Sequence, residues 1–189
     1  MKAEKRGGSS GFLDNSCAED TLISKANKGD KNAFELLMNS YLKVIYNYIC
    51  IHVKSNEDVQ DIVQETMFAV WSSLKSFGNG SSFRTWIIGI VRRKICDYYR
   101  TTYKTPIISL SDVEDSLMNE DEIDKLNKAI DVKKAVLSLN STEQELVFLA
   151  FNAQLTYQEI SVVTQIPVGT VKSRMSTIKS KLRKHLEKE

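Results

Sequence analysis

Apolar residues recur at helical spacing along almost the whole chain, and neither strand-like alternation nor an internal repeat stands out. A short helix is expected over residues 20–28, stopped by Gly29, after which Asp30 caps a longer one. Its inward stripe is Ala33, Phe34, Leu37, Tyr41, Val44, Ile45 and Tyr48. Ser55 opens a third helix with Val59, Ile62, Val63, Thr66, Met67, Val70, Trp71 and Leu74 facing inward. A turn at residues 78–80 leads to a fourth, residues 82–100, which ends at the sequence TTYKTP. Residues 105–126 carry Pro106, serines and many acids but no sustained apolar stripe, the signature of a solvated linker. Helical periodicity then resumes and runs to the end. The expected fold class is all-α, two small helical domains joined by an acidic linker: a lead-in over 1–18, a four-helix domain over 19–104, the linker over 105–126 and a second domain over 127–189.

The stretch TYQEISVVTQIPVGTVKSRMSTIKSKL fixes the character of the second domain. Thr156 with Glu159 three residues on is a capping box, so a helix starts there with Ile160 and Val163 pointing inward. The joint is Thr164–Ile166. Pro167 suits the first turn of the next helix, where its missing N–H is no loss, and Val171, Met175, Ile178, Leu182 and Leu186 form one inward stripe. The outward face of that helix presents Thr170, Lys172, Ser173, Ser176 and Lys179, with Arg174 beside them. A helix-turn-helix carries such residues into the DNA major groove, where cations meet guanine edges or phosphates and serine adapts to either. A solvated basic helix is the plainer alternative.

The first domain holds two further surfaces. On the third helix, removing the apolar stripe leaves Asp61, Gln64, Glu65 and Phe68 as one ridge at i, i+3, i+4 and i+7. DNA would repel an acidic ridge, whereas an aromatic anchor among acids suits protein docking. The alternative is that Phe68 packs on a neighbouring helix. The fourth helix, SSFRTWIIGIVRRKICDYYR, interleaves Arg84, Arg92, Arg93, Lys94 and Arg100 with Phe83, Trp86, Tyr98 and Tyr99. Cations that follow a backbone and rings that stack on bases are the parts of a single-strand binding surface. Several rings must serve the core, with Trp86 and Tyr98 the first choices.

Charge and composition sharpen this picture. The formal charge of +2 hides segregation: residues 112–124 are acidic and residues 172–188 basic, so local fields govern binding. The three cysteines, Cys17, Cys50 and Cys96, form neither a CxxC pair nor a Cys/His cluster, which points to a reducing cytoplasm rather than to a disulfide framework or a zinc site. The N-terminal MKAEKRGGSSGF has no apolar core of signal-peptide length, and WIIGIV is too short to span a bilayer. No catalytic residue, metal site or cofactor is expected, since His52 and His185 are the only histidines and neither sits in a metal or triad pattern.

DIVQETMFAVW, SSFRTWIIGIVRRKICDYYR and LTYQEISVVTQIPVGTVKSR together resemble regions two and four of the extracytoplasmic-function group of bacterial sigma factors, in the same order and separation. The resemblance covers residues 20–100 and 128–188. It implies a specificity subunit of RNA polymerase that recognises -10 and -35 promoter elements and assists melting. By this likeness Asp61, Gln64 and Glu65, with Phe68 on the same ridge, dock on the clamp coiled coil of the largest polymerase subunit. Arg84, Arg92, Arg93, Lys94, Tyr99 and Arg100 lie on the segment that recognises and melts the -10 element. Lys172, Ser173 and Ser176, flanked by Thr170, Arg174 and Lys179, correspond to the -35 reader. Core polymerase, promoter DNA and an anti-sigma protein are the partners implied. Two positions depart from the pattern: Arg93 stands where many members carry Asn, and Gln154 stands where a Gly often ends the preceding helix. A dimeric helix-turn-helix regulator would account for the C-terminal half alone, leaving the acidic ridge and the Arg/aromatic helix without a role.

Overall fold

The computed structural model describes residues 11–78, 80–103 and 126–187. Secondary structure among these residues is entirely helical, with no strand. The N-terminal domain comprises α1 (Gly11–Asn27), α2 (Lys31–His52), α3 (Asn56–Ser73) and α4 (Phe83–Tyr103), with a 3₁₀ turn at Leu74–Ser76. The C-terminal domain comprises α5 (Leu126–Leu137), α6 (Ser141–Val147), a π-helical turn at Phe148–Asn152, α7 (Tyr157–Thr164) and α8 (Val168–Leu186). The acidic linker expected over 105–126 falls almost wholly outside the described residues.

Capping chemistry sets most of the boundaries. Asp30 and Ser55 accept hydrogen bonds from the Ala33 and Asp58 amides, and Gly29 takes the left-handed φ of 93° that turns the chain between α1 and α2. The first helix begins at Gly11, inside what the sequence assigns to a lead-in, because nothing between Phe12 and Lys28 is a glycine or proline that would stop it. Asn140–Glu143 and Thr156–Glu159 are reciprocal capping boxes. Gln154 (φ 54°) and Gln165 (φ 60°) occupy left-handed conformations, which cost a residue with a Cβ up to about 1 kcal/mol relative to Gly. Pro167 is the N-cap of α8 rather than its first helical residue.

α2 lies at the centre of the first domain, packed on α1, α3 and α4, with Leu37, Met38, Ile45, Tyr48 and Ile49 inaccessible to solvent. α4 contributes Phe83, Ile87, Val91, Ile95 and Tyr99, a ladder at every fourth position. In the second domain α8 packs on α5, α6 and α7 through Val171, Met175 and Ile178, while Lys181 reaches Glu143 on α6 at 2.6 Å. The inward stripe of α8 ends sooner than the spacing predicts. Leu182 is half-buried and Leu186 exposed, because the partner helices no longer flank the last turn.

Candidate polymerase and nucleic-acid interfaces

The rotation of α3 about its axis follows from its buried side: Val59, Ile62, Thr66 and Val70 face α2 and α4. Asp61, Gln64, Glu65 and Phe68 are therefore all exposed along one ridge, and Phe68, 74% accessible, packs on no neighbouring helix among the described residues. Such a ring has apolar area to lose on contact with a partner, worth roughly 1.5–3 kcal/mol for a phenylalanine fully covered. Glu65 forms an ion pair at 3.2 Å with Lys94 of α4, and Tyr98 of α4 donates to Asp58 at 2.8 Å. The acidic ridge and the cationic helix thus sit side by side.

On α4 the structure divides the expected residues. Arg93 and Arg100 are exposed, and Arg100 pairs with Asp97 at 2.9 Å. Arg92 and Lys94 are half-buried. Tyr99 is inside: its ring is 8% exposed and its hydroxyl donates to the His52 carbonyl, so it belongs to the core and not to a base-stacking surface. Trp86 and Tyr98, expected in the core, are half-buried at its edge, and Phe83 and Tyr99 take the interior places. Trp86 joins an aromatic group with Phe77 and Phe83 at centroid distances of 5.2 and 5.6 Å.

Along α8, Lys172, Ser173, Arg174, Ser176 and Lys179 are exposed and Thr170 is half-buried. The Ser173 hydroxyl donates back to the Thr170 carbonyl at 3.0 Å. The face opposite Val171, Met175 and Ile178 is therefore short hydroxyls and long cations from end to end.

The two domains pack against each other through residues to which the sequence gives other roles, and through Glu145, which it does not single out. Glu145 of α6, 4% exposed, accepts from the Tyr48 hydroxyl at 2.5 Å and from Arg92 Nε at 3.4 Å, with His52 Nε2 at 4.0 Å. Burial and then the Glu145 carboxylate push the Tyr48 phenol far above its ordinary range, so it stays a donor. His52 is held below its ordinary pKa: burial opposes the imidazolium, and Arg92 adds to that effect while Glu145 opposes it. Phe148 stacks on Tyr48 with centroids 5.5 Å apart. A second carboxylate, Glu159 of α7, accepts from the hydroxyls of Ser82 and Thr85 at the start of α4, both at 2.7 Å, while keeping its capping bonds to Thr156. Partial burial alone would raise its pKa, but the donors of Thr156, Ser82 and Thr85 outweigh that and lower it to about 2. Between these contacts, Arg84 donates to the Ala153 carbonyl and the Gln154 side chain, both at 3.2 Å, and lies over the Tyr41 ring.

Comparison with known proteins decides what these faces belong to. The sigma-70 region 2 family model matches residues 37–105 and the sigma-70 region 4 model matches residues 130–182, together more than half of the chain. The chain belongs to the extracytoplasmic-function group of the sigma-70 family. It is 28% identical over 177 residues to the ECF RNA polymerase sigma factor SigW of Bacillus subtilis, covering 87% of this chain and 94% of that one. It is 26% identical over 181 residues to the RNA polymerase sigma-H factor of Pseudomonas aeruginosa, covering 89% and 94%. In fold it is similar to CnrH, solved in complex with the cytosolic domain of CnrY, at 22% identity and a TM-score of 0.62 over 91% of this chain and 99% of that one. It is also similar to the sigma factor RpoE of Bartonella quintana, solved with the anti-sigma factor NepR, at 21% identity and a TM-score of 0.57 over 82% and 96%. The N-terminal domain of this sigma factor is thus region 2, carrying the ridge and the cationic helix, and its C-terminal domain is region 4. Sigma factors are non-enzymatic initiation factors, and among the described residues no helix is long and apolar enough to cross a membrane.

Proposed function

We propose that this sigma factor, which binds core RNA polymerase and directs it to promoters, divides the task among three helix faces. The α3 ridge of Asp61, Gln64, Glu65 and Phe68 docks on the clamp coiled coil of the largest polymerase subunit. Arg84, Arg92, Arg93, Lys94 and Arg100 of α4 engage the -10 element and help to hold it open. Thr170, Lys172, Ser173, Arg174, Ser176 and Lys179 of α8 read the -35 element. The observation that carries the reading is the segregation of an acidic ridge with an exposed ring from two cationic faces: the first suits a protein and repels DNA, the others do the reverse. A free-standing dimeric regulator would leave the α3 ridge without a partner. The protein works in the cytoplasm, where polymerase and promoters are. An anti-sigma protein is a further partner, in keeping with the complexes in which its structural neighbours were solved. It acts by binding and needs no catalytic group, metal or cofactor.

Substitutions on α8 separate base reading from phosphate attraction. With reconstituted holoenzyme, Lys172→Ala and Ser176→Ala are expected to change which -35 bases are tolerated, each lost base contact being worth roughly 1–3 kcal/mol. Lys179→Ala is expected to weaken all sequences alike and to lower the salt slope by about one. Uniform loss in all three variants would mean that α8 holds phosphates without reading bases.

A further inference from the structure

A cleft of about 460 Å³ opens where the end of α1 packs on the 3₁₀ turn that follows α3, a size in the range of small-molecule sites. It belongs to region 2 alone: none of the residues lining it lies on α4 or in region 4, and none belongs to the α3 ridge. Buried Ala26 and Leu74 form its apolar floor. The half-buried Trp71 ring lines one side and is held in place by Phe34, edge to face with centroids 4.8 Å apart. The polar groups of the lining are incompletely used. Asn27 has a buried carboxamide oxygen with no donor among the described residues, a deficit that a ligand N–H relieves. Ser72 donates its hydroxyl proton to the Phe68 carbonyl at 2.8 Å, so its oxygen remains able to accept. Lys28 and Lys75 are exposed at the rim, and neither forms an ion pair among the described residues. No carboxylate among the described residues lines the cleft, and Asp30, close by in the chain, is turned onto the Ala33 amide.

We propose that this cleft binds a free nucleotide, with the base against Trp71, a base N–H on the Asn27 carboxamide and the terminal phosphate between Lys28 and Lys75. Each part of such a molecule meets a group of the matching kind. A planar ring covers Trp71 and the apolar floor, which a bare inorganic anion leaves wet. An uncharged ring alone leaves both lysines unpaired. The carbonyl end of α1 disfavours an anion, so the two lysines carry the recognition of the phosphate. Their number selects the kind of phosphate. A terminal monoester carries about −1.5 to −2 charges near pH 7 and matches two cations, whereas each diester of a strand carries one.

The chain has two tryptophans, and Trp86→Phe leaves Trp71 as the single reporter. Titration of this full-length variant with adenosine 5′-monophosphate is expected to quench Trp71 emission saturably, and equilibrium dialysis of the unsubstituted chain reads the same affinity without a reporter. Adenosine, which lacks the phosphate, and inorganic phosphate, which lacks the ring and is read by competition, are each expected to bind about tenfold more weakly or worse, the scale of one charge-assisted hydrogen bond. Lys28→Gln with Lys75→Gln is expected to weaken the mononucleotide about tenfold and to leave adenosine unaffected, with helicity and melting kept because both side chains are exposed. Lys54→Gln, at the opposite end of α3, is expected to change neither. Quenching that does not saturate, equal binding of the mononucleotide and adenosine, or undiminished binding by the double variant overturns the site. An equal loss in Lys54→Gln also overturns it, by showing diffuse attraction to a basic surface. A short oligodeoxyadenylate without terminal phosphates separates a strand from a free nucleotide. It is expected to quench Trp71 more weakly than the mononucleotide, and equal or tighter binding there overturns the assignment to a free nucleotide in favour of a strand.

Discussion

Reversal of Asp61 and Glu65 to lysine is expected to abolish co-purification of the sigma factor with core RNA polymerase and to leave its helicity and thermal melting nearly unchanged. Both side chains project from the exposed side of α3, opposite Val59, Ile62, Thr66 and Val70, so neither supports the core. The ion pair lost among the described residues, Glu65 with Lys94, is a surface contact of a kind that contributes roughly 0.2–1 kcal/mol. The double reversal replaces two anions of the proposed docking ridge with two cations, which inverts its charge. Phe68→Ala is expected to weaken the same binding without destabilising the fold, since the ring is already 74% exposed. Co-purification unchanged in the double reversal would remove the ridge from the polymerase interface.

Deletion of residues 111–120 is expected to leave both regions folded and the ridge bound to core polymerase, yet to abolish initiation at promoters that need both elements. In this family the two elements lie about two turns of DNA apart, roughly 70 Å at ~34–36 Å per turn. Residues 105–126, extended at ~3.3–3.6 Å each, reach little beyond that distance, so the loss of ten leaves too little chain to bridge it. Asp112, Glu114, Asp115, Glu120, Asp121, Glu122 and Asp124 give this segment a charge that DNA repels. Flexible insertions of similar length are expected to be milder, because loop entropy grows slowly with length. Transcription by the deletion variant at full strength from a normally spaced promoter would show that the regions do not span the DNA in this way.

The contrast between what periodicity reveals and what it hides is physical. On α3 the apolar stripe is continuous, and the complementary ridge, exposed ring included, follows by subtraction. The helix-turn-helix was equally legible, because a capping box, a proline and a stripe are all local. For Tyr99 the local signal lies in the spacing rather than in the residue type: Phe83, Ile87, Val91, Ile95 and Tyr99 form an unbroken i+4 ladder, which places that ring inside and Tyr98 at the edge. Glu145 carried no such signal. In STEQELVFLA it reads as one of two acids in the first turns of a short helix, and its burial depends on Tyr48, far away in sequence. The capping box accounts for Glu159 locally and so conceals its second role toward Ser82 and Thr85. The π-helical turn at Phe148–Asn152 was likewise not legible, since apolar FLAF continues the helical pattern while the chain turns to set Gln154 and Leu155 against region 2 and the core.

Transcription from a promoter library with purified core polymerase tests most directly whether this chain is a promoter-specificity subunit. The expected result is initiation at a discrete set of templates that share two elements of fixed spacing, in the presence of the sigma factor and not with core alone, while the sigma factor without polymerase gives no tight shift of the same duplexes. Tight, sequence-specific binding of duplex DNA by the chain alone, with no promoter-selective transcription when core polymerase is added, would contradict it.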